Sequence, residues 1–368
     1  MKTVAIFGST GSIGVQTLNV VRRFPHIYKV VALSAGKNTA LLKKQISEFS
    51  PDFVASETEF EADNTAFYGA NSAERLAEVV DADVFVMAIS GLSALPPLMQ
   101  LIKKGKRIAL ANKEAIVCAG RVVLDACDVY GAEIVPVDSE HSAVFQCLSA
   151  GETKDVKRII LTASGGPFYA KDVNLSTVTP SQALKHPTWN MGKKISIDSA
   201  TMVNKGLEII EAYRLFGAKE VDYVIHPESV IHSMVEYADN STVALMSYPN
   251  MELAIQYAMT YPDRMENAGV RAFDFTRSLT FGQPDEKRFP APALAKECVR
   301  LGGTAPAIYS MADEVAVELF LKNIIKFTDI CGIIEEALSI NEIVSNYSYE
   351  YLLELDLKIK NYFRSKFN

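Results

Sequence analysis

The strongest constraint on the fold lies in the first fourteen residues. The apolar run Val4-Ala5-Ile6-Phe7 goes directly into the glycine turn GSTGSIG at residues 8–14, and helical periodicity follows over residues 13–23. A buried strand that ends in glycines and opens a helix lets a pyrophosphate approach the N–H groups of a helix N-terminus. The spacing is GxxGxxG rather than GxGxxG, so a plain tight turn competes until the context is read. That context is regular. Short apolar, β-branched runs at 29–34, 53–55, 84–89, 107–110 and 133–137 alternate with helical spacing at 39–49, 73–80 and 96–104. The pattern predicts an α/β fold with an N-terminal Rossmann-type parallel sheet and crossover helices.

After Glu140 the rhythm changes. Extended segments at 158–163, 223–237 and 241–246 mix with helical patterns near 202–216 and 251–259, which predicts a central α+β domain, the one that the family resemblance given below implies is catalytic. Residues 261–292, rich in Pro, Asp and Arg, suit a surface linker, and from Ala293 the pattern is a C-terminal helical domain ending in a polar, lysine-rich tail. The expected boundaries are 1–138, 139–262, a linker at 263–292, and 293–368. Thirty-seven Lys plus Arg against forty-four Asp plus Glu give a net charge of −7. No clustered basic face is available to displace counterions from a nucleic acid. The five cysteines at 118, 127, 147, 298 and 331 form no CxxC pair, so a reducing, cytoplasmic protein is expected. The start leaves no room for a signal core, and no apolar run approaches the ~20 residues of a membrane span.

An NAD site places an acid at the end of its second strand, whereas this sequence has Ala35-Gly36-Lys37-Asn38 there. A lysine and an amide suit a 2′-phosphate, which points to NADP(H); a solvated loop lysine is the plain alternative. Residues 135–137 read as a strand running into Asp138-Ser139-Glu140-His141. If extended, it puts Asp138 and Glu140 on one side and Ser139 on the other, an oxygen pair suited to Mg2+ or Mn2+. A solvated strand end is the competing reading. Glu208 shares a helix face with Asn204 and Lys205, on a helix that Asp198 or Ser199 can cap. An ordinary surface ion pair explains Lys205 and Glu208 equally simply, but Ser199, Asn204 and Lys205 together offer donors for a phosphate. TASGGPF adds Ser164 and two glycines. KHPTWNMG holds the only tryptophan, Trp189, as a lid or as core packing, with His186 beside it as a ligand contact or a turn cap.

Taken together, GSTGSIG, ALANKEAIV, PVDSEHSAVFQ, TASGGPF, KHPTWNMGKKISIDSATMVNKGLE and HPESVIHSMVEY closely resemble the 1-deoxy-D-xylulose 5-phosphate reductoisomerase family, in order from residue 3 to about 325. The resemblance implies a homodimer that rearranges 1-deoxy-D-xylulose 5-phosphate (DXP) and reduces it with NADPH to 2-C-methyl-D-erythritol 4-phosphate, using Mg2+ or Mn2+. It implies cofactor contacts from Thr10, Gly11, Ser12, Ile13, Gly36, Lys37, Asn38, Asn112, Glu114 and Gly192, and metal ligation by Asp138, Glu140 and Glu208. Substrate contacts would come from Lys113, Ser139, Glu140, Ser164, His186, Ser199, Asn204, Lys205 and Glu208, with Trp189 and Met191 on the lid; Lys113, Asp138, Glu140 and Glu208 would serve catalysis. The roles of Asn112, Lys113 and Glu114 come from the resemblance alone. Asn250 stands where the family usually has Asp, Asp313 stands where Asn is common, and the likeness is loose after about residue 340. A different metal-assisted NADP enzyme and a non-catalytic dinucleotide sensor are the other classes open to these motifs.

Overall fold

Seven parallel strands build the sheet that the N-terminal alternation predicts. The computed structural model describes every residue except Pro187, Asn190, Asn267, Ala268 and Asn368, so Pro187 of the tryptophan loop lies outside the described residues. The chain runs β1 (Lys2–Phe7), α1 (Ser12–Arg23), β2 (Tyr28–Ala35), α2 (Thr39–Phe49), β3 (Phe53–Ser56), β4 (Thr65–Tyr68), α3 (Ser72–Val79), β5 (Val84–Met87), α4 (Leu95–Ile102), β6 (Arg107–Leu110), α5 (Lys113–Tyr130), β7 (Glu133–Pro136) and α6 (Ser139–Cys147). The sheet order is β4-β3-β2-β1-β5-β6-β7. Strands grow outward from β1 to β4 and then resume on the other side of β1, so the reversal between β1 and β5 is where such sheets bind ligands. Val4 to Phe7 are wholly buried, and burial of that order stabilises by about 1.5–3 kcal/mol for each large side chain.

Two elements escape the sequence pattern. Strand β4 is only four residues, half-exposed at the sheet edge, and too short to show alternation. Helix α5 is capped by Asn112, ends at Gly131 with φ +69°, and buries Ala115 to Ala119 completely. That first half is covered on nearly all sides and so shows no apolar stripe, while the second half exposes Arg121, Asp125 and Asp128.

The chain divides into two compact units. One comprises Met1–Ala115, Arg121–Ser142 and Asn250–Arg271; the other comprises Ile116–Gly120, Ala143–Pro249 and the chain from Ala272 onward. The second unit holds β8 (Val156–Ala163), α7 (Pro180–Ala183), α8 (Lys193–Thr201), α9 (Val203–Phe216), β9 (Val221–Ile225), β10 (Ile231–Tyr237) and β11 (Thr242–Met246), with sheet order β11-β10-β8-β9. The expected extended segment 223–237 is therefore two strands. Pro227 lies between them, Ser229 takes φ +52°, and buried His226 accepts the N–H groups of Val230 and Ile231 at 3.1 Å each. The expected cap at Asp198 or Ser199 also needs correction. Both lie inside α8, and the break before α9 is Met202 with φ +64°.

Helix α10 (Met251–Thr260) returns to the first unit, where Asn250 caps it by accepting the Glu252 N–H at 2.8 Å. Within the stretch expected as a linker, Gly282 exchanges two backbone hydrogen bonds with Ile225, of 2.8 and 3.0 Å, so that part is pinned to β9. Helices α11 (Ala291–Leu301), α12 (Ala305–Leu321), α13 (Asp329–Ile340) and α14 (Tyr349–Lys366) follow. The lysine-rich end is an amphipathic helix rather than a loose tail: Leu352, Leu355, Ile359 and Phe363 are buried, and α14 packs on α12. No described helix is long and apolar enough to cross a membrane.

Gly332 gives a direct test of the C-terminal packing. It lies inside α13 with nothing within 4 Å of where a Cβ would sit. Gly332→Ala is expected to stabilise the protein by about 0.5–1 kcal/mol, read as a higher denaturation midpoint; a lower midpoint would mean that this face of α13 is covered.

Candidate active site

The glycine loop is shaped by backbone proximity. Gly8 takes φ +87°, and a Cβ there would lie 2.6 Å from the Ala88 carbonyl oxygen. Ser34 anchors the turn: its carbonyl accepts the N–H groups of Gly8 and Ser9 at 3.1 and 2.7 Å. Gly11 occupies the N-cap of α1 without a side chain, so the helix presents N–H groups near Thr10, Ser12 and Ile13 at a positive dipole end. Thr10 and Ile13 are half-buried, and Gly11 and Ser12 are exposed. That cradle fits a pyrophosphate. Gly36 and Lys37 follow β2, and Asn38 caps α2 by accepting the Leu41 N–H at 3.2 Å. Asn112 is committed to the protein. Its amide donates to the carbonyls of Ile89 and Gly91 at 2.8 and 3.0 Å, and its oxygen accepts the Ala115 N–H at 2.7 Å. Glu114 sits half-exposed on the first turn of α5.

The first acidic cluster differs from its expected geometry. Residues 138–141 are not extended: β7 ends at Pro136 and α6 begins at Ser139, so strand alternation does not place Asp138 and Glu140. Asp138 instead starts the helix, with Oδ1 accepting the Glu140 N–H at 3.2 Å and its carbonyl accepting the Ser142 N–H at 2.8 Å. Ser139 donates its hydroxyl to the Glu140 carboxylate. Lys113 Nζ stands 2.7 Å from Asp138 Oδ2, and wholly buried His141 places Nδ1 3.4 Å from Oδ1. Burial alone raises the Asp138 carboxyl, but the Lys113 ammonium and the bond from His141 outweigh it and hold the group well below the usual carboxylate range. Asp138, ionised beside the Lys113 ammonium, and Glu140 at the start of α6 offer oxygen donors that suit a hard divalent cation. Sequence reading gave His141 no role; its position three residues after Asp138, at a helix start, was the available signal.

The second unit carries the other cluster. Glu208 on α9 is only 1% exposed and Lys205 3%, so their ion pair is buried, not the surface pair of the plain reading. Asn204 donates to the same carboxylate, and Lys205 donates to the Thr162 carbonyl at the end of β8 at 2.5 Å. Just beyond, Ser164 Oγ accepts the Gly166 N–H at 3.3 Å and lies 3.1 Å from His186 Nε2. The Thr188 and Trp189 N–H groups point at His186 Nδ1, at 3.1 and 2.9 Å. Nδ1 is therefore the acceptor, and Nε2 carries the proton that is donated to Ser164. Burial pushes the His186 pKa down, in keeping with that neutral form. Trp189 and Met191 are half-buried, and Gly192 caps α8. Half-buried Ser199 presents its carbonyl to Gly166, where a Cβ would approach it to 2.8 Å.

The comparisons with known proteins agree along the chain. The family described as 1-deoxy-D-xylulose 5-phosphate reductoisomerase matches residues 4–120, its C-terminal domain matches 134–216, and a further DXP reductoisomerase C-terminal domain matches 246–362. The last match takes in most of the segment where the motif likeness is loose. The enzyme of that name from Caldanaerobacter subterraneus subsp. tengcongensis is 46% identical over 380 residues, covering 100% of both chains. The one from Geotalea uraniireducens is 48% identical over 357 residues, covering 93% of this chain and 92% of that one. A solved reductoisomerase from Zymomonas mobilis in complex with NADPH is 38% identical with a TM-score of 0.92, covering 100% of this chain and 99% of that one. A DOX-P reductoisomerase in complex with NADPH, fosmidomycin and magnesium is 36% identical with a TM-score of 0.93, covering 100% of this chain and 98% of that one. Identity of this order over full length, carried on one shared fold, means that the chain belongs to the 1-deoxy-D-xylulose 5-phosphate reductoisomerase family.

Proposed function

We propose that this protein converts DXP to 2-C-methyl-D-erythritol 4-phosphate with NADPH and Mg2+ or Mn2+. The observation that carries the reading is the buried Asn204-Lys205-Glu208 cluster: an acid held at a helix face beside an ammonium and an amide suits a metal-assisted reaction on a phosphorylated substrate. Asp138 and Glu140 from the first unit and Glu208 from the second are assigned to one cation, because all three offer hard oxygen ligands. A bound cation polarises the substrate carbonyl and stabilises oxyanion charge. Lys113, already beside Asp138, adds positive charge for the same oxygens. Ser164, His186, Ser199, Asn204 and Lys205 are assigned to the phosphate, so that remote binding energy orients the reacting carbons. Ser139 joins Glu140 on the substrate, and Trp189 and Met191 cover it against water.

NADPH is assigned to Thr10, Gly11, Ser12, Ile13, Gly36, Lys37, Asn38, Asn112, Glu114 and Gly192; bound there, it supplies the hydride. Since three hydrogen bonds already occupy the Asn112 side chain, its part is to hold the loop. In functional terms residues 1–138 serve the cofactor, 139–262 catalysis and dimer formation, 263–292 the connection, and 293–368 the helical cover. A homodimer in the cytoplasm completes the reading. Five free cysteines are consistent with a reducing compartment, and a particle mass twice 40.4 kDa is the expected result in solution.

The decisive assay follows NADPH absorbance with DXP, with and without Mn2+. Consumption only when both are present supports the assignment, whereas cofactor binding without consumption would leave a sensor. In the same assay NADPH is expected to exceed NADH about tenfold or more in kcat/KM, the scale of a charge-assisted hydrogen bond from Lys37 to a 2′-phosphate. Equal constants would remove Lys37 and Asn38 from that role.

A further inference from the structure

We propose that Asp313, on α12, is a positioning residue for the substrate-binding end of α8, and that it holds residues 192–199 in place through Lys194. The proposal rests on the phosphate role given above to Ser164 and Ser199.

Lys194 Nζ stands 2.6 Å from Asp198 Oδ2, one turn further along α8, and 2.7 Å from Asp313 Oδ2. Asp313 is fully buried and Asp198 is 2% exposed. An exposed i, i+4 pair on a helix contributes only about 0.2–0.5 kcal/mol. This pair is different because its third member arrives from a helix more than a hundred residues away in sequence, and α12 packs directly on α8. Two buried carboxylates around one ammonium carry a surplus negative charge unless one keeps a proton. Burial pushes the Asp313 carboxyl up, while the Lys194 ammonium beside it pulls the other way. Apolar side chains of similar volume stabilise such a place as well or better. What the trio adds is direction, since an ammonium between two fixed acceptors sets both the rotation and the height of α8.

That setting matters at both ends of α8. Upstream, Gly192 closes the tryptophan loop and its carbonyl accepts the Ser196 hydroxyl and N–H, at 2.9 and 3.1 Å. Downstream, Asp198 immediately precedes Ser199, whose carbonyl stands against Gly166 in the Ser164 loop. A helix held at Lys194 and Asp198 therefore fixes Ser199 relative to Ser164. Asp313 need touch no substrate to do this.

The test compares Asp313→Asn with Asp313→Ala in the full-length protein. Asn keeps an acceptor oxygen for Lys194 in nearly the same shape, and is expected to behave as wild type within about twofold. Ala is expected to raise KM for DXP about tenfold while kcat changes less than about threefold, the pattern of lost substrate positioning with intact chemistry. Hydrogen exchange reads the clamp without any turnover. Amides of residues 191–201 are expected to exchange about tenfold faster in Asp313→Ala and at the wild-type rate in Asp313→Asn. Unchanged exchange in α8, exchange accelerated evenly over the whole second unit, or an Asn variant as impaired as the Ala variant would overturn the proposal. If the wild-type protein does not turn over DXP, the functional assignment fails, while the exchange comparison still decides whether the clamp exists.

Discussion

Glu208→Gln is expected to cut metal-dependent turnover of DXP by about 10²–10³-fold, the scale on which one preorganised electrostatic contributor is lost. Gln keeps the shape of Glu, so the effect isolates the charge. Lys205 and Asn204 both donate to this carboxylate in a site that excludes water. A neutral amide offers one acceptor oxygen and places an NH2 group where a second acceptor stood. The buried Lys205 ammonium then loses the Glu208 charge, and breaking a buried ion pair by removing one partner costs about 3–5 kcal/mol. A lower denaturation midpoint is therefore part of the expected result, and activity must be measured well below it. NADPH affinity supplies the internal control. The glycine loop belongs to the other compact unit, so cofactor binding should stay within about twofold of wild type. Turnover at the native rate without a divalent cation would remove Glu208 from the metal set. Lost turnover together with lost NADPH binding would show a folding defect instead.

How far the sequence foretold the structure depended on whether the deciding force is local. Residues 4–14 were legible because an apolar strand, glycines and a helix start each have a backbone cause within a few residues. The Asn204-Lys205-Glu208 face was legible for the same reason, since helical spacing alone puts those side chains together. The turn at Asp138 was not. Val135-Pro136-Val137 reads as a strand, and nothing in its alternation announces that the Asp138 side chain will accept the Glu140 N–H and start a helix. Asp is a residue type that caps helices, but His141 rather than Glu or Gln stands three residues after Asp138, so no capping box marks the start, and the strand-like residues before it dominate. His226 shows the same limit over a longer range. One buried imidazole organises the corner between β9 and β10 and reaches the Thr280 carbonyl at 2.8 Å, a partner 54 residues away. The Lys194 trio draws its third member from α12, so spacing along α8 could reveal only the Lys194–Asp198 half.

Gly14→Ala is expected to weaken NADPH binding by about 10–100-fold, because overpacking a closed site by one methyl costs about 1–3 kcal/mol and each 1.4 kcal/mol is a factor of ten. The new Cβ would fall on the Gly8 carbonyl oxygen and lie 2.5 and 2.6 Å from the Cα and carbonyl carbon of Ser9, all of it backbone. The loop has nowhere to retreat. Gly8 and Ser9 are held by Ser34, the Ser9 hydroxyl donates to Gln45 Oε1 at 2.7 Å, and Gln45 Nε2 returns a bond to the Ser9 carbonyl at 2.9 Å, with Gln45 itself 3% exposed. The methyl must therefore push α1 away from β1, which shifts the N–H groups of Ser12 and Ile13 that the pyrophosphate requires. Gly11→Ala separates sterics from a general intolerance of alanine in the loop. Its Cβ meets only the Gly8 carbonyl, at 3.3 Å, and Gly11 has φ −76°, which any L-residue adopts. The expected loss there is about threefold, the effect of a neighbour moving by a few tenths of an ångström. NADPH fluorescence titration of the two variants gives the answer. A Gly14 variant that binds as tightly as the Gly11 variant would mean that the helix yields without moving its first turn, and that the close approach of α1 to the strand is not what shapes the cofactor site.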